Sequence, residues 1–429
     1  MPMTTAEAMK RSDGNYSAWA DFKEWMDVEF SRAVALGTQA IHAADPGATS
    51  AIEGGQIPGW GGYDYSRLAT AVDLMEIYDG EGNVEIVRSL NPRLVVLRTS
   101  YAGPAEVRDL WRSLLRGGRG VIFWDPKGDI VGEDGRVGER GRELAPVLKE
   151  IKSGLGALLM RSERQTAPVA ILYSPASMRV QWMLDWQPKG TAWSDRPPNA
   201  VFEDPNAVRT SMTYFLGALG RSGLEARILA PGMIERGALE RGIRVLILPR
   251  ALALSEREAA RVRSFVAGGG TVIADGAVPG RFDEHCRQLP RPRLADLFHS
   301  ATAVTRTGKG KAYLFGSPSG RYELGAILAG AGVVPMFELA LRDGSRATNV
   351  EANLWSNGEK TLLALQRDPG GAAPEPLRLS LRRALRVYDL RARKELGTVK
   401  SLELTLDPVA PTLLQVTMRA PKSGTISHW

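Results

Sequence analysis

The chain has 429 residues, 44% of them hydrophobic and 24% charged, with a net charge of +7. That length gives room for two or three domains of about 100–200 residues each, and the composition is that of an ordinary globular protein. The single cysteine, Cys286, excludes an internal disulfide framework. The opening stretch MPMTTAEAMKRSDG is polar and has no apolar signal-peptide core. No run of about 18 apolar residues occurs, so a soluble, cytoplasmic chain without membrane association is expected. The arginines are dispersed, and the densest group, Arg382, Arg383 and Arg386, alternates with apolar residues. Nucleic-acid sites concentrate charge on one face, so a solvated surface is the better reading and no nucleic-acid partner is expected.

Along residues 17–42, apolar side chains at Trp19, Phe22, Trp25, Met26, Phe30, Val34 and Ile41 follow the three-and-four rhythm of an amphipathic helix. Asp45-Pro46-Gly47 breaks it. A strand-like piece from Thr49 to Ile52 leads to Glu53-Gly54-Gly55 and a loop rich in glycine and aromatic residues. Tyr65 to Val72 reads as helix, Leu74 to Tyr78 as strand and Asn83 to Leu90 as helix. Arg93 to Arg98 is then a compact apolar strand, Pro104 to Leu115 a helix, and Gly120 to Trp124 another buried-type strand. Short apolar strands alternating with helices indicate parallel βα units. In such folds the site lies just after the strands, which places Glu53, Asp79, Thr99 to Tyr101, Trp124 and Asp125 in favoured positions.

The rhythm restarts near Thr166. Strands are expected at Val169–Tyr173, Glu225–Leu229, Val245–Leu248 and Thr271–Ala274, with helices at Ser211–Arg221 and Ser255–Ala267. Ser255 followed three positions later by Glu258 is a capping-box signature. Together these describe an open, doubly wound, flavodoxin-like α/β domain. From about Asp343 the pattern turns to short strands at Thr361–Leu365, Leu377–Leu381, Ala384–Tyr388, Ser401–Leu406 and Thr412–Met418, as in a small β-sandwich.

This order of parts resembles the C-terminal portion of a glycoside hydrolase family 42 beta-galactosidase. The likeness is carried by AADPGATSAIEGGQIPGWGGYDYSRLATAVDLMEIYD, by GVIFWDPKGDIVGEDGRVGERGRELAPVLKEI, by VAILYSPAS and by LRVYDLRARKELG. The resemblance implies an α/β fold in three parts. Residues 1–165 would form a partial (β/α) barrel, residues 166–342 an amidotransferase-like trimerisation domain, and residues 343–429 a C-terminal β-sandwich domain. It further implies a carbohydrate substrate, no cofactor, and a homo-oligomer, a trimer in the family.

Departures from the family matter as much as the match. A complete barrel has eight strands and about 250 residues, whereas four strands are evident here within about 165 residues. The family's acid/base glutamate follows an asparagine on the fourth strand, and no Asn-Glu pair precedes residue 17. Its nucleophile closes the seventh strand, here RLVVLRTSYAG, which ends in Thr99, Ser100 and Tyr101 without a carboxylate. Neither catalytic residue carries over.

Glycoside hydrolysis needs two carboxyl groups in unlike environments. Glu53, in its Gly/Trp loop, is the first candidate, and the plainer reading is a surface carboxylate binding loop amides. Glu76 and Asp79 flank a strand end and could equally be structural hydrogen-bond partners. Trp60, Tyr63, Tyr101 and Trp124 suit stacking against a pyranose, with core packing as the alternative. Asp125 could bind a hydroxyl or cap a turn with Pro126.

Other chemistries fit poorly. Cys286, in FDEHCRQL, lacks the glycines of a nucleophile elbow and reads as a structural thiol. His42, His285, His299 and His428 show no metal-ligand spacing, and GEDGRVGERG lacks the ending of a phosphate loop. Two functions remain: a glycoside hydrolase-like protein acting on β-linked glycosides, or a catalytically inactive sugar-binding or oligomerisation protein derived from one.

Overall fold

A computed structural model describes residues 3–55, 63–77, 82–195, 206–299, 304–317, 324–368 and 376–417. In chain order the first elements are α1 (Thr5–Met9), α2 (Ser17–Ala44), β1 (Ala51–Gly55), α3 (Tyr65–Leu68), β2 (Leu74–Ile77), α4 (Asn83–Leu90), β3 (Val95–Ser100), α5 (Glu106–Arg116) and β4 (Gly120–Phe123). Next come α6 (Glu139–Glu150), α7 (Gly156–Met160), β5 (Glu163–Arg164), β6 (Thr166–Leu172), α8 (Pro175–Trp186), α9 (Ala207–Gly220), β7 (Glu225–Leu229), α10 (Pro231–Glu235), β8 (Val245–Leu248), α11 (Glu256–Ala267) and β9 (Thr271–Asp275). The last are β10 (Thr305–Thr307), β11 (Gly310–Phe315), α12 (Leu324–Gly330), β12 (Phe337–Ala340), β13 (Val350–Asn357), β14 (Lys360–Arg367), β15 (Pro376–Asp389), β16 (Lys394–Thr405) and β17 (Thr412–Thr417). The chain is mixed α/β with parallel strands, as its alternating rhythm indicates, and its contacts divide it into two compact units.

The first unit holds Met1–Val95, Ala167–Leu216 and Ala226–Val334. Within it β1 and β2 run parallel, Ala51 opposite Leu74 and Ile52 opposite Met75. A larger sheet has the order β10-β11-β9-β8-β6-β7. Numbered from β6, the strands other than β10 lie 2-1-3-4-5, the order of a doubly wound sheet; β6, β8, β9 and β11 run parallel, and β10 is antiparallel at one edge. The central strands are buried on both faces: all four residues of β8 and all five of β9 are buried. Ala259, Val262 and Val266 of α11 pack on Leu246, Leu248, Val272 and Ala274. At the start of α11 the Ser255 hydroxyl accepts from the Glu258 amide at 3.0 Å, and the Glu258 carboxylate accepts from the Ser255 amide at 2.8 Å. This is the capping box expected from the sequence.

Helix α2 departs from its sequence reading. Trp19 is buried and stacks on Trp182 of α8 at 5.9 Å. Trp25, Met26, Leu36 and Ile41, however, are exposed. Periodicity identifies the residues that share a face; it carries no information about whether anything covers that face.

The second unit holds Val96–Thr166, Gly217–Glu225 and Pro335–Trp429. Here β3 and β4 are parallel, Leu97 opposite Gly120 and Ser100 opposite Phe123. An antiparallel sheet follows in the order β12-β15-β17-β14-β13-β5, with β16 on the far side of β15. Alternation along β14 sends Leu363 and Leu365 into one core and Leu362 and Ala364 into another, where Leu110, Trp111 and Leu114 of α5 meet them. The two short strands expected at Leu377–Leu381 and Ala384–Tyr388 are one strand, β15, because a register shift between Ser380 and Leu385 lets the ladder continue through the irregularity.

Candidate functional site

The paired residues Ser100 and Phe123 sit at the carboxyl ends of β3 and β4. The next residues are Tyr101 and Trp124, so two aromatic side chains leave adjacent strand ends, and the Trp124 amide donates to the Ser100 carbonyl at 3.0 Å. Tyr101 is 55% exposed and Trp124 57%. Both rings reach solvent at the carboxyl ends of parallel strands, where βα folds place their sites. Neither ring belongs to the core, which was the alternative weighed for both.

Beneath this shelf lies a buried ion pair. Arg140 of α6 grips Glu106, the first residue of α5, with both ends of its guanidinium: Nε donates to Oε2 at 2.9 Å and Nη2 to Oε1 at 2.7 Å. The remaining N–H groups reach backbone. Nη1 donates to the Trp124 carbonyl at 2.6 Å and Nη2 to the Ser100 carbonyl at 3.1 Å. The Ser100 hydroxyl completes the network by donating to Glu106 Oε1 at 2.6 Å. Ser100, Glu106 and Arg140 are all buried. The hydrogen bonds that Arg140 donates to Glu106 hold its pKa above the ordinary value, against the effect of burial. Neither Glu106 nor Arg140 stood out in the sequence. A glutamate opening a helix looks like an ordinary partner of the helix dipole, and Arg140 lies 34 positions away.

Asp125 is committed to its own loop, accepting from the amides of Asp129 and Ile130, each at 2.8 Å. Partial burial works to raise its pKa, but those amides, the amide of Val131 and the Arg140 charge outweigh it and hold the carboxyl below its usual range. The loop then closes as a tight turn in which Val131 bridges Val137. Side chains at Gly138 and Gly141 would strike the carbonyls of Asp129 and Ile130, so only glycine lets the start of α6 come this close to the loop.

In the other unit, Glu53 lies on β1 and is exposed, whereas Glu76 on β2 is 2% exposed. A register irregularity between Ile52 and Gly55 sets Glu53 and Gly54 opposite Glu76. Two carboxylates on neighbouring strands thus have opposite environments. Tyr63 is half-buried and stacks on Phe30 of α2, centroids 4.7 Å apart. Asp79 and Trp60 lie outside the described residues. Nearby, Arg179 of α8 donates to Asp27 of α2 at 2.7 Å, and the Tyr65 amide donates to the buried Tyr173 hydroxyl at 3.2 Å. Burial raises the Asp27 pKa even beside that guanidinium.

Cys286 is fully buried, and burial pushes its thiol up to about 12. Its Sγ donates to the Ala176 carbonyl at 3.5 Å, the behaviour of a packed thiol. Among the described residues no group of three or more His, Cys, Asp or Glu is arranged around a metal position, and no helix is long and apolar enough to cross a membrane.

Several solved structures share this fold. A beta-galactosidase from Bacillus circulans sp. alkalophilus superposes with a TM-score of 0.70 over 94% of this chain and 68% of its own, at 15% identity. The fold is that of the family 42 beta-galactosidases. A cold-adapted beta-galactosidase from Rahnella sp. R3 gives 0.68 over 95% of this chain and 69% of its own, again at 15% identity. An exo-carrageenase of the same family from Bacteroides ovatus gives 0.62 over 96% of this chain and 56% of its own, at 14% identity. No family model matches the sequence, and no curated protein does. The chain thus keeps the family 42 fold over about two thirds of the beta-galactosidases' length.

Proposed function

We propose that this chain is a glycoside hydrolase-like protein that holds β-linked glycosides on the shelf formed by Tyr101 and Trp124. The observation that carries the reading is the pair of exposed rings on adjacent carboxyl ends of β3 and β4. Flat aromatic faces suit the C–H side of a pyranose, and the shared fold of the beta-galactosidases and the exo-carrageenase supports a sugar ligand without choosing among sugars.

In the first unit, taken by itself, the carboxylate proposed for hydrolysis is Glu53. It is the exposed carboxylate, whereas Glu76 is closed off from solvent and serves as its inner partner. Asp79 remains the third candidate from the sequence. The alternative function, a catalytically inactive sugar-binding or oligomerisation protein, is favoured by one specific observation: β3 ends in Thr99, Ser100 and Tyr101, with no carboxylate at its tip.

Purified chain assayed on a panel of aryl β-glycosides separates the two. Turnover that collapses in Glu53→Gln places the working carboxylate there. Turnover that survives the substitution removes Glu53 from the role. Absence of turnover with retained sugar binding selects the inactive reading.

A further inference from the structure

The Glu106–Arg140 pair does more than join two helices, because the atoms it holds belong to the shelf. The Arg140 guanidinium anchors the Trp124 carbonyl at 2.6 Å and the Ser100 carbonyl at 3.1 Å, so both strand ends carrying the exposed rings are tied to one buried group. The guanidinium carbon also lies 6.0 Å from the centre of the Phe123 ring, directly before Trp124. On the other side of Trp124, the Asp125 carboxylate is fixed by two loop amides. Trp124 therefore combines a ring that is 57% exposed with a backbone held from both directions. Surface aromatic residues without a task gain nothing from such anchoring. A ligand platform does, since ordering achieved before the ligand arrives is not charged against binding.

We propose that Glu106 and Arg140 are positioning residues that hold Trp124 as a ready-made glycoside platform. Glu106 sets the Arg140 fork by accepting two of its N–H bonds, the Ser100 hydroxyl sets Glu106, and the free ends of the fork set the backbone beneath the ring. Both oxygens of the buried Glu106 accept from these donors, which directs its role to the backbone and not to the ligand. A lysine at position 140 keeps the charge but loses the planar fork and cannot hold both carbonyls and the carboxylate together.

This inference rests on the glycoside reading of the shelf, and the test separates the two. The full chain is labelled with 5-fluorotryptophan, and the Trp124 fluorine resonance is assigned by its loss in Trp124→Phe. Arg140→Lys and Glu106→Gln are expected to shift and broaden the Trp124 signal while the signals of tryptophans of the other unit, such as Trp182, keep their positions. Binding of methyl β-galactoside is expected to weaken about tenfold in both, equivalent to the upper range of one aromatic contact. Glu106→Gln preserves volume and serves as the second variant should Arg140→Lys fail to fold. A Trp124 resonance unchanged in both variants overturns the positioning role. A wild-type chain that binds no β-glycoside overturns the glycoside reading instead, and the fluorine comparison then decides on positioning alone.

Discussion

Glu106 and Arg140 exclude water from each other's charges, and the stability of that arrangement depends on both being present. Removing one partner of a buried pair strands the other charge at a cost of about 3–5 kcal/mol. Glu106→Ala is therefore expected to lower unfolding free energy by that order in chemical denaturation. The double change Glu106→Leu with Arg140→Met should recover part of the loss, since no unpaired charge remains. A single variant as stable as wild type would show that the pair is solvated and not closed as seen here. Cys286 gives a second residue-scale prediction. With its thiol buried and pushed up to about 12, it should resist alkylation in the folded chain and react only on unfolding. Rapid labelling under native conditions would contradict its packed position.

Among the elements, α11 makes the clearest pH prediction. Burial raises the Glu258 carboxyl from 4.5 to about 7, against the opposing amide of Ser255 and with added repulsion from Glu235 and Glu284. The folded chain then keeps a proton that the unfolded chain releases, so this group's contribution is fully present below pH 4.5 and is lost as pH rises through about 7. Glu258→Gln retains a residue competent in the capping box and removes the charge. Relative to wild type it should melt higher near pH 8 and about equally near pH 5 in thermal scans. An equal difference at both values would place the titration elsewhere.

The same elements show what a sequence can disclose. Ser255 and Glu258 are three residues apart, and the runs VAILY, VLIL and TVIA are short and apolar, so cap and strands were legible locally. Strand β13 is legible only in part: Val350, Ala352 and Leu354 alternate with Glu351 and Asn353 and β14 follows across a short turn, but its other partner, β5, lies far earlier in the chain. The aromatic shelf was legible as residues following strands. The network beneath it was not, since Ser100, Glu106 and Arg140 meet only through the fold. The uncovered face of α2 belongs to the same class: its rhythm was visible, its exposure was not.

At the scale of the whole molecule, the chain carries the family 42 fold with sequence identity of 15% to the beta-galactosidases and without a carboxylate closing β3. Fold is retained under such divergence because layer packing tolerates wide substitution, whereas chemistry depends on a few groups at one place. Arginines meet acidic partners both near and far in sequence, as Arg386 does with Glu395 and Arg391 with Glu150. The three-domain division at residues 165 and 342, like the homo-oligomer, stays a proposal drawn from the resemblance.

The central claim is that Tyr101 and Trp124 receive a sugar, and calorimetric titration tests it most directly. Methyl β-galactoside and related β-glycosides are titrated into wild type, Tyr101→Ala and Trp124→Ala, each first shown to melt as wild type does. The account predicts saturable binding by wild type that weakens about tenfold or more in either variant, as loss of a stacked ring requires. Equal binding in all three proteins would contradict it.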